Sequence, residues 1–557
     1  MHVHVNFPVP VPFPFPPPSF PLAKLPPNFV LSSPMVEEIT APPEPITPVR
    51  EIPRSSGLLW TVAVILLLTV LSLAIRAYQI EARPLHSDEG VNWGFFEEII
   101  KKRSFSYSHA NYHGPTYFYV SALLMGLFGQ DELVVRGSSI IFGALLVILP
   151  LYLQPYLGRG YVLITGLLVA LSPSMIFHAR YAIHETMFLF FSAWTALSLH
   201  SWLMTHRPRH IYTFSFALSG MVATKETFPI TLAALTLAAL AAGELRLQWV
   251  QILLGGTHMY RGALLFVLLT LAWFSGGFQS FDGVREAFLA VQQWVGRGVS
   301  EHGHFKPPQY YTLNVIGRSE RYLVIMYGLL LPILAVMALI FPVSRLKRLT
   351  SPTFRFLAAW AFGIYFMYSL IPYKTPWLVI NITYPALLLL GWVLTKALTA
   401  GRILRFSGAA ALGVTLGAAL VSTFLYCFRS VQFGDYYLEN SILEPFAARN
   451  PYSYVHTSDG TIELVEDIEE FWRLKPDARL LIGVDAYWPL PYYLRSRADQ
   501  IGYLNTRKPE DYKNEYDIMV VDKGVILPDQ SWDARYYRLS DVQESFTYFR
   551  NISRPPS

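Results

Sequence analysis

The sequence predicts a mainly α, polytopic membrane bundle with a small α/β domain at its carboxyl end, and three observations predict it. Hydrophobic residues make up 53% of the 557 and charged residues only 15%, with a mean hydropathy of +0.34. That is too apolar for a soluble globular chain. From Gly57 to Phe428, apolar runs alternate with short polar breaks, and several runs approach the roughly 20 residues that cross the hydrocarbon of a bilayer. After Phe428 the composition becomes that of a water-soluble domain. The net charge of +5 is mild and no Lys/Arg run tracks a polyanion, which argues against a nucleic-acid partner. Cys427 is the only cysteine, so neither a disulfide framework nor a cysteine-ligated metal site forms within one chain.

Each element follows in order. Residues 1–56 are dense in proline, which removes backbone donors and blocks helices, and they predict a disordered tail. No continuous apolar stretch precedes the prolines, unlike a signal peptide. The spans fall at about 57–76, 136–154, 161–177, 186–204, 211–224, 227–242, 262–277, 322–342, 355–371, 378–395 and 406–427. Basic residues collect in the breaks 50–56, 158–160, 205–210, 243–248, 344–349 and 396–405. The positive-inside rule puts these on the cytoplasmic side, giving about eleven spans with the amino end inside and the carboxyl end out. The apolar stretch 115–129 breaks that parity and reads as an interfacial helix within the first outer loop, 77–135. Spans 211–224 and 227–242 are short, as tilted or broken helices are. In the long outer loop, 278–321, Val284, Phe288, Val291 and Val295 have helical spacing and predict a helix lying on the membrane. The domain 429–557 offers the strand-like runs "YSYVHT", "ARLLIGV" and "YDIMVV". A helix over "TIELVEDIEEFWRL" aligns Ile462, Val465, Ile468 and Trp472.

Asp88-Glu89 lies about a dozen residues beyond the first span. There a carboxylate stays hydrated yet is close enough to lipid to meet a lipid-borne substrate. The other outer breaks hold little charge except Arg180 and Glu185, Lys225-Glu226, and Lys374. A lone cation at a span end is compensated either by a neighbour such as Glu185 or Glu226 or by a bound anion, and a phosphate would serve all three cations. Transfer of a sugar from a lipid phosphate needs that chemistry. The leaving phosphate is weakly basic and needs cations, while the acceptor hydroxyl needs one carboxylate to take its proton. Asp88 is the candidate base and Glu89 its partner in orienting a hydroxyl; ordinary surface acids on a solvated loop are the bland alternative. Trp488, Tyr492 and Tyr493 suit core packing better than sugar stacking.

The order of "SDEG" (87–90), "YHGPTYFY" (112–119), "ARYAIHETMFLFF" (179–191) and "ATKE" (223–226) resembles the polyprenyl-phosphate-sugar-dependent GT-C glycosyltransferases. Protein O-mannosyltransferases and lipid A aminoarabinose transferases are among them. "YKTPWLVIN" (373–381) and "WPLPYYLR" (488–495) look closer to the flippase activity-associated, mannosyltransferase-like family. The resemblance implies a GT-C-like bundle in the plasma membrane with an extracytoplasmic carboxyl-terminal domain. It implies an inverting transfer from a polyprenyl-phosphate-linked sugar to a glycan, lipid or protein acceptor. By the same resemblance Asp88 is the base with Glu89 beside it, and Arg180, Lys225 and Lys374 bind the donor phosphate. His113, Glu185, His302, His304 and Tyr373 are the candidate substrate-binding residues. Glu185 stands where relatives carry Asp, and His113-Gly114-Pro115 where many carry His-Pro-Pro. A divalent cation on His302 and His304 with His86 or His113 stays open beside plain solvation of these histidines. The rival from another class is a transporter or flippase component for lipid-linked sugars, which would keep its charges near the membrane midplane.

Overall fold

The computed structural model describes residues 57–110, 113–243, 256–299, 304–429, 450–504, 508–512, 514–525, 531–540 and 543–550. The expectations for residues 1–56 and for His302 fall outside them. Every predicted span coincides with helix. The first is α1 (Leu58–Ala77), and the others include Gln154–Leu171, Glu185–Thr205, Thr257–Phe274, Arg321–Ile340, Pro352–Leu370, Val379–Thr399 and Arg402–Thr423. Among the described residues, 7 stretches are long and apolar enough to cross a membrane, which makes the chain a multi-pass membrane protein. This is fewer than the eleven spans expected. Predicted spans 136–154 and 161–177 share one apolar stretch, Gly137–Leu171, broken where Gly158 turns to φ 81, ψ 172. Pro208–Val222 and Phe228–Ala242 have 15 residues each, short of a full crossing.

Burial separates inner from outer helices. Glu185–Thr205 and Val379–Thr399 are enclosed by protein on nearly all sides. By contrast α1, Arg321–Ile340 and Arg402–Thr423 leave Leu59, Val70, Leu339, Ile403 and Val414 exposed. Helices apolar all round with bare outer faces are what a lipid solvent selects.

In the carboxyl-terminal domain a five-stranded sheet has the order β2-β1-β3-β5-β4, with β1 Leu480–Gly483, β2 Ile501–Tyr503, β3 Ile518–Asp522, β4 Trp532–Arg538 and β5 Glu544–Arg550. β1 runs parallel to β2 and β3, and β5 antiparallel to β3 and β4. Period-two alternation sends Leu480, Ile482, Ile518 and Val520 against Leu464, Ile468 and Trp472 of the helix Asp459–Leu474. It sends Leu481, Met519 and Val521 to the other face, against Tyr512, Tyr516 and Trp532. The segment "YSYVHT", expected as a strand, is instead a loop that turns at Val455 (φ 47) and meets the sheet domain at a Thr457–Ser540 bridge.

The same domain grips α2 (Ser87–Lys102). A Cβ on Gly90 would lie 2.9 Å from both the Trp488 ring and Pro489 Cβ, and one on Gly94 would lie 3.3 Å from Trp488. These glycines, one turn apart, make the flat seat on which Trp488 rests. Gly90→Val is expected to cost about 1–3 kcal/mol by overpacking, read as a lower unfolding midpoint and faster proteolysis near residue 490. Gly94→Ala, with a looser contact, should change little.

Candidate active site

Asp88 sits in the first turn of α2 with its side chain 51% exposed. The loop ahead of it is tied down by the carboxyl-terminal domain. Tyr493 Oη accepts from Leu85 N–H (2.8 Å), Thr457 Oγ1 donates to Leu85 C=O (2.6 Å), and His86 Nε2 meets Tyr454 C=O (3.0 Å). His86 Nδ1 accepts from Asp88 N–H (3.0 Å). These partners assign His86 as the neutral Nε2–H tautomer, so its 3.6 Å approach to Asp88 Oδ2 is no ion pair. The carboxylate is thus fixed through its backbone while its oxygens face solvent.

Glu89 points the opposite way. It is fully buried, caps α2 by accepting from His86 N–H (2.8 Å), and also accepts from Ala182 N–H (2.7 Å). Arg136, equally buried, donates to both of its oxygens (2.7 and 3.0 Å). The remaining Arg136 donors reach Glu132 Oε2 (2.8 Å) and the carbonyls of Ile80, Arg83 and Pro84. Tyr493 donates to Glu132 Oε1 (2.9 Å), so the extra domain, Arg136 and Glu89 form one connected network. Glu89, expected to orient a substrate hydroxyl, has both oxygens taken by protein donors.

Arg180, expected at the donor phosphate, is held by backbone carbonyls. Its guanidinium lies across the end of α1, donating to the carbonyls of Arg76 (3.1 Å), Tyr78 and Gln79 (2.9 Å), and its cation sits 5.0 Å from the Phe428 ring centroid. A helix end leaves carbonyls without partners, and a cation there satisfies them. Arg180 thus caps the carboxyl end of α1.

Lys225 is buried and ion-paired to Glu185. The neighbouring Glu226 accepts from His113 Nδ1 at 3.0 Å, and the His113 ring stacks 4.7 Å from His184. Burial, with the charges of His113 and Lys225 alongside, holds His184 well below the usual imidazole range and so neutral. Gly114 makes this cluster possible. Its N–H donates to Thr224 C=O (3.2 Å), and a Cβ there would lie 2.1 Å from Ala223 O. A second proline would remove that donor and clash, which explains the departure from His-Pro-Pro. An apolar groove of about 240 Å³ opens beside Gly114 and Glu226, walled by Phe266, Leu271, Phe274 and Phe288.

Lys374 is buried and donates to the carbonyls of Lys306 (3.2 Å) and Ile371. Burial lowers its pKa. Among the described residues no carboxylate forms a salt bridge with it. Its N–H donates to His304 C=O (3.0 Å), and the His304 ring packs 4.7 Å from Tyr373. His304 Nδ1 meets Tyr454 Oη at 3.0 Å. Among the described residues no three His, Cys, Asp or Glu side chains gather as a metal-ligating group.

These residues gather at one end of the bundle through short links. Tyr454 joins His86, next to Asp88, to His304, next to Lys374. Tyr181 lies fully buried, 5.0 Å from His86 and 6.1 Å from Trp377, and burial followed by the Asp88 and Glu89 charges raises its pKa. Solved structures share this arrangement of helices. ArnT from Cupriavidus metallidurans bound to undecaprenyl phosphate aligns with a TM-score of 0.58 at 13% identity, covering 90% of this chain and 100% of that one. Its apo form aligns with a TM-score of 0.55 at 13% identity, covering 90% and 99%.

The chain has the ArnT-like GT-C fold.

Within this GT-C fold, residues 103–280 match the family model described as dolichyl-phosphate-mannose-protein mannosyltransferase. That stretch holds His113, Arg180, Glu185 and Lys225, while Asp88 precedes it and Lys374 follows it. No curated protein matches the chain in sequence. Sequence reasoning missed the contacts of Tyr454, Thr457 and Tyr181 around the Asp88 loop. Tyr454 and Thr457 lie more than 360 residues from Asp88 and were read as a strand. For Tyr181 the signal was available, in a tyrosine directly following Arg180.

Proposed function

We propose that this protein is an integral-membrane glycosyltransferase that moves a sugar from a polyprenyl-phosphate donor to an acceptor hydroxyl with inversion. The observation that carries the reading is the pairing, at one end of the GT-C bundle, of an exposed, backbone-anchored carboxylate with a buried cation lacking a carboxylate partner among the described residues. Asp88 takes the acceptor proton as the acceptor oxygen attacks the anomeric carbon. The bond from that carbon to the phosphate oxygen breaks on the opposite side. Polyprenyl phosphate leaves with its charge met by Lys374, a cation in a partly desolvated site where electrostatic stabilisation is strong. Lys225 stays tied to Glu185 and serves the phosphate less directly. The apolar groove at Gly114 and Glu226 suits the first isoprenes of the tail. ArnT, with the same fold, binds undecaprenyl phosphate, which supports a lipid of this class as the donor's carrier.

The test is turnover by the purified full chain with radiolabelled polyprenyl-phosphate sugars, followed as sugar-dependent release of lipid phosphate. Movement of the labelled lipid across vesicles without any sugar transfer would overturn the reading in favour of a flippase. Lys374→Met is expected to lower kcat/KM by roughly 10- to 150-fold, the equivalent of one charge-assisted hydrogen bond of about 1.5–3 kcal/mol. Lys374→Arg should recover part of the loss. An unchanged kcat/KM in Lys374→Met would remove this lysine from donor binding.

A further inference from the structure

We propose that a second cavity, of about 390 Å³ beside the end of the helix Thr257–Phe274, binds a membrane phospholipid of net negative charge, at a place separate from the groove at Gly114 and Glu226. Its rim at Arg103 lies about 22 Å along α2 from Asp88 by helical rise, and the site stands whether or not the chain transfers sugar. One partition divides the two pockets. Phe266, Leu271 and Phe274 face the groove, while Leu269, Ala272 and Trp273 of the same helix face the cavity. The chain that follows α2 is shared in the same way, Tyr107 lining the groove and Phe105 the cavity.

The cavity's polar side chains are Arg103, Ser104, Tyr119, Trp273 and Gln279. Among the described residues the side chains of Arg103, Ser104, Tyr119 and Gln279 have no hydrogen-bond or ion-pair partner. The contrast is sharpest for charge. Lys101 and Lys102 pair with Glu97 (2.8 Å) and Glu98 (2.6 Å), whereas Arg103 forms no salt bridge among the described residues. Arg103 also closes α2 in the left-handed region, φ 51 and ψ 23, which glycine or asparagine fills with less strain. Tyr119 Oη is shut off from solvent without a partner. A Cβ on Gly276 would lie 3.5 Å from that hydroxyl, so the bare backbone there keeps the cavity open. Arg103 is the only charged residue in the lining. The site is therefore cationic and suits a phosphate, while Ser104, Tyr119 and Gln279 suit the hydroxyls of a headgroup such as glycerol. Apolar surface leading away from the cavity selects a lipid over a free phosphate. Leu264 and Leu268 stand two turns and one turn before Ala272 on one stripe of the helix and are 58% and 47% exposed, a path for an acyl chain. Trp273 stacks on Tyr119, ring centroids 6.4 Å apart at 22°, at a span end where aromatic residues meet headgroups.

The experiment titrates radiolabelled phosphatidylglycerol, which carries one negative phosphate and a glycerol headgroup, onto the purified full chain in detergent. Phosphatidylcholine, glycerol phosphate and polyprenyl phosphate are the competitors. Phosphatidylglycerol is expected to bind about fivefold more tightly than phosphatidylcholine, the scale of one arginine near an anionic lipid surface. Arg103→Gln should erase that preference, and Ala272→Phe, which fills the cavity, should remove the saturable binding; wild-type unfolding midpoints show that both variants are folded. Arg103 is exposed, so its substitution reads the site even where the bulkier one does not fold. Equal affinity for the two phospholipids overturns the charge assignment, and a preference that persists in Arg103→Gln overturns the site. Displacement by glycerol phosphate at the lipid's own concentration overturns the choice of a lipid. Displacement by an equal amount of polyprenyl phosphate overturns the separation from the donor's groove. Failure of polyprenyl phosphate to bind anywhere, with phosphatidylglycerol still bound through Arg103, supports this site and counts against the transferase reading alone.

Discussion

Asp88→Asn is expected to lower sugar transfer by about 10²- to 10⁴-fold, the usual contribution of a positioned general base, with thermal unfolding and polyprenyl-phosphate binding at wild-type levels. The expectation of intact folding follows from how the site is built. What holds residue 88 is its N–H on His86 Nδ1 and its place in α2, and asparagine keeps both. Among the described residues its carboxylate meets only His86, at 3.6 Å, and half of the side chain is in solvent. The substitution thus removes proton affinity while removing almost no packing. Two measurements decide it, the rate of lipid-phosphate release at saturating donor and the unfolding midpoint in detergent. Turnover within threefold of wild type would exclude Asp88 as the base and redirect attention to the Glu185–Lys225–Glu226 cluster.

The contrast between Asp88 and its neighbour also explains how far the sequence could be read. Helices were legible because each apolar run carries its own signal, and Glu185–Thr205 and Val379–Thr399 are apolar on every face since protein surrounds them. Fixed charges at span ends were legible because desolvation makes each one improbable without a partner. Which partner was not legible. Arg180 caps a helix whose carbonyls the sequence does not display, and Lys225 found Glu185 forty residues away. Arg180 and Lys374 both donate to backbone carbonyls, and neither forms a salt bridge with a described carboxylate. The polar edge of the sheet was equally hidden: β4 has four consecutive exposed residues, Asp533 to Tyr536, and so lacks the alternation that marks a half-buried strand. The loop 452–457 reads as a strand from composition, yet Tyr454 and Thr457 hold the Asp88 loop, a tertiary use with no local signature.

Glu89→Gln, although the smallest change available, is expected to destabilise the protein by about 3–5 kcal/mol, as when one partner of a buried ion pair is neutralised, and to abolish activity. Both Glu89 oxygens are acceptors twice over: Oε1 takes Arg136 Nε and Ala182 N–H, and Oε2 takes Arg136 Nη2 and His86 N–H. A carboxamide keeps the shape but turns one acceptor into a donor, so either orientation sets an NH₂ against two N–H groups while leaving the Arg136 charge uncompensated on that side. Arg136→Met should cost at least as much, because it also releases Glu132 and the carbonyls of Ile80, Arg83 and Pro84. The paired variant Glu89→Leu with Arg136→Met removes both charges and should regain part of the loss, since an apolar pair avoids the desolvation penalty. Full recovery is not expected: Ala182 N–H, His86 N–H and those three carbonyls would then lack partners in a buried place. A double-mutant cycle in detergent measures this directly. Strictly additive single losses would mean that Glu89 and Arg136 are not one unit, and would remove the link by which Tyr493 and the carboxyl-terminal domain hold the Asp88 helix in place.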